Sequence, residues 1–396
     1  MLKSITVFTE ELDDPQAAAR ELREKLEGFA LLPHSAGVIF CTPDFVSEGV
    51  YEAVAKSLPF PVVGATTLSQ STNSGFGEFM LTLTVLTGDD VVFGAGQSGA
   101  IPAPGGAEET LRPAVEQAKA QLGGAAPKMA LTFCPTSPAG SPNDRYVDAL
   151  TKLTGGIPVF GGISLDYSVA VTEDAYCFYN DHAAKDRAVV LLIGGALKPR
   201  FFFATLLDDT RLPYAGEITG ARDANVCSIN GESAITYFER AGFAANGSLA
   251  EGFRFMPALL DVSKVPGFEG VPPFFRNFQA ANPDGSVYCM GLVPQGSTFT
   301  LSRLDAESCE RADAELIERV KKAAPDARAV FVISCDGRRL ALMLDKTRGI
   351  RFFHERLKDY APFVSAYSAG EICPLLHDET RTVNRLQMFT TAICVL

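Results

Sequence analysis

A chain of 396 residues is more than twice the length that one hydrophobic core usually fills, so two domains, or one core extended by duplication, are expected. With 47% hydrophobic and 21% charged residues the composition is that of a packed globule, which excludes a disordered or fibrous chain. The 35 basic against 47 acidic residues, a net charge of -12, argue against nucleic acid or an anionic membrane surface as a partner.

The N-terminus turns acidic before any signal-like apolar core develops, and the longest apolar run, 188–197, is too short to cross a bilayer. A cytoplasmic protein is expected. The nine cysteines are odd in number, form no CxxC pair and lie mostly in apolar segments, so disulfides are not expected.

In chain order, Ala19, Leu22 and Leu26 mark a first predicted helix, followed by the apolar run GVIFCTPD (37–44). Val46, Val50, Val54 and Leu58 then fall four apart on one face of a second helix, and PVVGATTLS (61–69) follows. FMLTLTVL (79–86) and VVFGAG (91–96), joined by polar residues, read as an antiparallel hairpin. The pattern recurs. Val115, Ala118 and Leu122 precede LTFCPTSP (131–138), a helix carries Tyr146, Val147, Leu150 and Leu153, PVFGGISLD (158–166) follows, and AYCFYN (175–180) with AVVLLIGG (188–195) reads as a second hairpin. A third copy has Leu316, Val320 and Ala323, then VFVISCDG (330–337), then PFVSAYSAG (362–370).

Buried strands joined through a helix imply right-handed crossovers between parallel neighbours. The expected fold is α/β: repeated α-β-α-β-β units forming mixed sheets packed with helices, at about 1–98, 107–197 and 306–396. Between the second and third units a β-rich insert, 198–305, carries alternating strands such as FFFATLL (201–207) and VYCMGLV (287–293). One helix stands within it, opened by the Asn230-Gly231 turn and bearing Ile235, Tyr237 and Phe238. The chain so divides into halves at 1–197 and 198–396.

Several motifs invite chemistry. GAGQSG (94–99) satisfies GxGxxG, but a phosphate-cradling loop runs straight into a helix, and here the Pro- and Gly-rich stretch 101–106 intervenes. AYSAG around Ser368, with Ser164 in the matching place of the second copy, has part of a nucleophile elbow, which keeps a serine or cysteine hydrolase as an alternative. The elbow's first Gly and its following helix are missing. Cys335, beside Arg338 and Arg339, is a reactive thiolate if those charges lower its pKa, or else a core position equivalent to Cys41 and Cys134. Four scattered histidines give no metal spacing, though His182 and His377 lie in loops from which one axial haem ligand can come.

The turn beyond the last parallel strand is the expected ligand site, because loops at strand ends gather binding groups in α/β folds. There Arg338 is placed to grip a carboxylate, Glu371 to hold an amino group, Tyr367 and Ser368 to supply hydroxyls, and Gly370 to let the backbone approach. Cys335 belongs to the same cluster, and Thr66, Thr67, Ser164 and Asp166 occupy the corresponding turns of the earlier copies.

These residues bring a family into view. FVISCDGRR, then AYSAGEICP, then Asn384 ahead of a last β-run resemble the C-terminal pattern of the FIST family, and roughly 36–220 resembles its N-terminal half. The resemblance implies a sensory domain that binds small ligands such as amino acids, with Asn384 in the site, and some members bind haem to sense nitric oxide. FIST domains are often fused to kinase, chemoreceptor or cyclic-nucleotide signalling modules; none is apparent in this chain, so the expected output partner is a separate protein of one of those kinds. Where the family pattern has Asn followed by a Gln-Thr pair, this chain reads Asn384, Arg385, Leu386, Gln387, so the ligand's identity does not transfer. No resident cofactor is expected beyond the haem alternative.

Overall fold

Each of the three units begins with a strand and a helix, and in the first and third the helix start is written in the sequence. Asp14 caps the helix Pro15–Lys25 by accepting from the amides of Gln16 and Ala17, with Pro at the first helical position, and Asp305 caps Ala306–Ala323 through the amide of Ser308. The computed structural model describes residues 1–101, 106–136, 143–168, 173–342 and 345–396, apart from the side chain of Arg254. Residues 137–138 of the run 131–138 and 102–105 of the stretch 101–106 lie outside the described residues.

The expected repeat of mixed sheets and helices is present. In the first unit His34–Cys41 runs parallel to Val62–Thr66; in the second Pro127–Cys134 runs parallel to Val159–Ile163; in the third Val330–Cys335 runs parallel to Phe363–Ser368. On the other side of each pair, an antiparallel strand (Leu81–Gly88, Val189–Gly195 or Thr391–Val395) carries the unit's first strand (Lys3–Thr9, Val91–Gln97 or Arg200–Ala204) at the sheet edge. The second helix of the first unit is two helices, Asp44–Ser47 and Val50–Lys56, because Gly49 turns the chain at φ +75.

Each sheet is completed by a hairpin from another unit. Cys177–Tyr179 and His182–Ala184 of the second unit extend the first sheet, Glu371–His377 and Thr382–Gln387 of the third extend the second, and Gln70–Thr72 and Phe76–Gly77 of the first extend the third. This cyclic exchange locks three units into a ring. It also overturns the two local hairpins expected from sequence: Leu81–Gly88 and Val91–Gln97 are separated by two residues yet lie in different sheets, as do Cys177–Tyr179 and Val189–Gly195. The reason is that the partner of Val91–Gln97 is Val189–Gly195, about a hundred residues away, where no local pattern reveals it.

The inner faces of the three sheets meet in one core, with Phe40 and Phe133 edge to face at 5.2 Å and Phe160 and Phe331 beside them. The outer faces are covered by helices. Strands buried on both sides explain the continuous apolar runs. Gly94 and Gly96 serve this packing, since a Cβ would fall 1.9 Å from the carbonyl oxygen of Ala118 and 2.1 Å from that of Ala114, both on the helix Ala107–Gln121. The GxGxxG match is thus a helix-on-strand contact.

The insert between the first strand and first helix of the third unit is a closed β-barrel. Arg211–Arg222, Thr298–Ser302, Pro257–Asp261, Phe274–Ala281, Val287–Cys289 and Asn225–Ile229 pair in that order, and the last returns to the first. Closure removes exposed edges. Its core stacks Phe238 of the helix Ala234–Arg240 against Phe253, Phe278 and Phe299. Arg276 ties it to the ring: Nη2 donates to Asp144 Oδ1 at 2.7 Å and Nη1 to the Leu386 carbonyl at 2.9 Å.

Candidate functional site

The parallel strands of all three units end at the same end of the ring, and the turns that follow are hydrogen-bonded to one another. Thr67 Oγ1 donates to the Tyr367 carbonyl at 2.7 Å and accepts from its amide at 3.0 Å. The Leu165 amide donates to the Thr66 carbonyl, and the Ala369 amide to the Ile163 carbonyl. Gly37, Ala130 and Val330 all pair with the first residue of the neighbouring parallel strand, which makes Ser334 the equivalent of Cys41 and Cys134. Cys335 therefore stands one residue beyond the repeated core position, at the start of the helix Asp336–Ala341.

That extra step brings Cys335 to the wall of a cavity of about 110 Å³ between the second unit, the third unit and the barrel. Cys335, Asp336, Gly337 and Leu340 form one wall, and Ser368 and Ala369 of the turn form another with Leu165 and Thr136. The barrel contributes Asn277, Gln279, Met290 and Phe255. Met388 and Phe389 close a side, Phe389 with φ +53, an uncommon conformation for a large side chain.

Of the residues expected at the site, Cys335 and Ser368 reach this wall; the others stand behind it or in neighbouring turns. Arg338, expected to face a ligand, is buried and occupied: Nη2 donates to Asp313 Oδ1 at 2.7 Å and to the Cys309 carbonyl at 2.8 Å. Glu371 is fully buried beneath the turn, accepting from Ser368 Oγ at 2.8 Å and the Thr390 amide at 3.3 Å. Burial pushes its carboxyl well above the usual range, against the opposing pull of those hydrogen bonds and of Arg338. Tyr367 packs with Leu68, Leu165 and Ile350, and the Gly370 carbonyl accepts from Ile163. Asn384 holds the second sheet, accepting from the Val159 amide and donating to Thr151 Oγ1 and the Ile157 carbonyl.

In the equivalent turns, Thr66 accepts from the Tyr176 amide, Ser164 is buried, and Asp166 accepts from the amides of Ser168, Glu173 and Asp174. The Cys335 thiol is not activated. Burial, reinforced by Glu371, raises its pKa well above that of a free thiol, and the charge of Arg338 is matched by Asp313 instead. Among the described residues no histidine lines the cavity; His34, His182 and His377 are exposed, and His354 Nδ1 sits 2.8 Å from the Thr72 carbonyl. The barrel residues and the Met388-Phe389 pair escaped sequence reasoning, since their only signal is a placement made by tertiary contacts.

Three interlocked α/β units form a ring that carries a barrel, with a small, partly open cavity where they join. The chain belongs to the FIST family: the FIST N domain matches residues 35–232 and the FIST C domain residues 234–374. Among solved structures, the chain is similar to cyanuric acid hydrolase from A. caulinodans, with 10% identity and a TM-score of 0.39 over 100% of this chain and 99% of that one. PurLQS from Thermotoga maritima shows 10% identity and a TM-score of 0.18 over 100% of this chain and 72% of that one. No curated protein matches the chain in sequence. No helix among the described residues is long and apolar enough to cross a membrane.

Proposed function

We propose that this FIST protein is a sensory domain whose small ligand lodges in the cavity behind Cys335 and Ser368, and that it reports occupancy to a separate output protein such as a kinase, chemoreceptor or cyclic-nucleotide enzyme. The observation that carries the reading is the make-up of the wall, drawn from two units and the barrel, so that one ligand touches three separately built parts. A volume of about 110 Å³ suits a molecule no larger than the smallest amino acids. Drug-sized ligands need about 300–1,000 Å³, so a haem does not fit the cavity as it stands. Binding rather than turnover is supported by the raised pKa of the Cys335 thiol.

The test is native mass spectrometry of the purified protein together with a thermal-shift screen of amino acids and other small metabolites. A ligand that raises the melting temperature of the wild type, but not of Ala369→Leu, which fills the cavity, supports the reading. A ligand whose effect survives Ala369→Leu binds elsewhere and refutes the site.

A further inference from the structure

Among the described residues, the one charged group on the cavity wall is a carboxylate, and the amides and hydroxyls of Asn277, Gln279, Ser168 and Thr136 can donate or accept. Ser368 Oγ lies 2.8 Å from Glu371 Oε1 and accepts from the Gly370 amide at 3.4 Å, so both of its partners lie within the turn. Asp336 is bound by Arg339 Nε through Oδ1 at 2.5 Å, and no partner among the described residues takes its Oδ2. Thr136 Oγ1 is buried and also without a hydrogen bond among the described residues. No Lys, Arg or His among the described residues lines the wall, and the guanidinium groups of Arg338 and Arg339, on the helix that follows Cys335, pair with Asp313 and Asp336. The remaining surface is largely apolar, including Met290, Met388 and Phe389.

We propose that the cavity selects a small ligand presenting amine or amide N–H donors and disfavours one presenting a free carboxylate or phosphate. The proposal rests on the ligand-binding reading above and narrows its chemistry: a free amino acid is a poorer occupant than a molecule of its size whose carboxylate is absent or converted to an amide. An N–H donor finds an acceptor in the Asp336 carboxylate, and its carbon portion lies against thioether and aromatic groups. An anion entering the same space loses its water, meets the Asp336 carboxylate and finds no cation among the described residues of the wall. Since a cavity of about 150 Å³ accepts benzene, a volume of about 110 Å³ holds a ligand of only a few heavy atoms.

The test compares propionamide, n-propylamine and propionate, near-equal in size and different in charge and donor content. Binding is read from the ε-methyl NMR signals of Met290 and Met388, with the other methionines of the seven as internal controls. Saturable shifts at these two methyls are expected for propionamide or n-propylamine, with affinity at least about tenfold above that for propionate, a discrimination of about 1.4 kcal/mol. Asp336→Asn is expected to narrow that preference while the far-UV spectrum stays that of the wild type. Propionate binding as tightly as the nitrogen compounds overturns the inference and leaves the cavity reading standing. Silence of both methyls toward all three probes overturns the cavity reading, and the inference with it.

Discussion

Replacing Arg276 by Met removes the charge that fastens the barrel to the ring. Arg276 and Asp144 are 1% and 3% exposed, and the guanidinium also serves the carbonyls of Leu386, Phe275 and Leu292 and stacks 4.5 Å from the Phe274 ring. In Arg276→Met, Asp144 keeps only the Leu292 amide at 2.9 Å of these contacts, so a carboxylate stays buried with its countercharge gone. Breaking a buried pair from one side costs about 3–5 kcal/mol. Asp144→Asn leaves the guanidinium without its anion and is expected to cost nearly as much. The double variant removes both charges, so its cost falls short of the sum of the singles by up to about 3 kcal/mol, the top of the range for contacting residues. The chain has no Trp, so urea unfolding is followed by far-UV circular dichroism, with hydrogen exchange of the strand Phe274–Ala281 reporting the barrel separately. Additive costs, with a coupling under about 0.5 kcal/mol, would refute the claim that this pair is the fastening.

The raised pKa of Glu371 means the folded state holds a proton that the unfolded chain releases as pH climbs past the ordinary carboxylate range, so this group's effect is to lower stability with rising pH. Glu371→Gln should therefore match the wild type most closely near pH 4.5 and gain melting temperature relative to it between pH 5 and 8; a pH-independent difference would show that the carboxyl ionises freely. Gly94→Ala drives a methyl into the Ala118 carbonyl and should cost at least about 1–3 kcal/mol; thermal denaturation within a degree of the wild type would show that the helix yields. Alkylation of the native protein with iodoacetamide at pH 7.5 should label Cys227 first, since the eight other cysteines are buried; early labelling of Cys335 by mass spectrometry would contradict the account of its thiol.

The repeat was legible because strands buried on both faces must be continuously apolar, and helices covering them must show one apolar stripe; the runs at 37–44, 131–138 and 330–337 carry that demand in their composition. The insert was legible through alternating strands such as VYCMGLV (287–293), although FFFATLL (201–207), read as part of it, is the edge strand Arg200–Ala204 of the third sheet; the turn near Ser368 was legible through its polar residues after a buried strand. Sequence alone also determined membership in a family, since motif order survives where contacts are unknown. Only the tertiary structure decided which strands pair: the exchanged hairpins join segments far apart in the chain, and a hydrophobic pattern states that a face is buried without saying by what. It likewise decided that Arg338 and Glu371 lie behind the cavity wall. A charged side chain beyond a strand end has one composition whether it meets a ligand or, like Arg338, an Asp313 arriving on another helix, and that choice is made by packing.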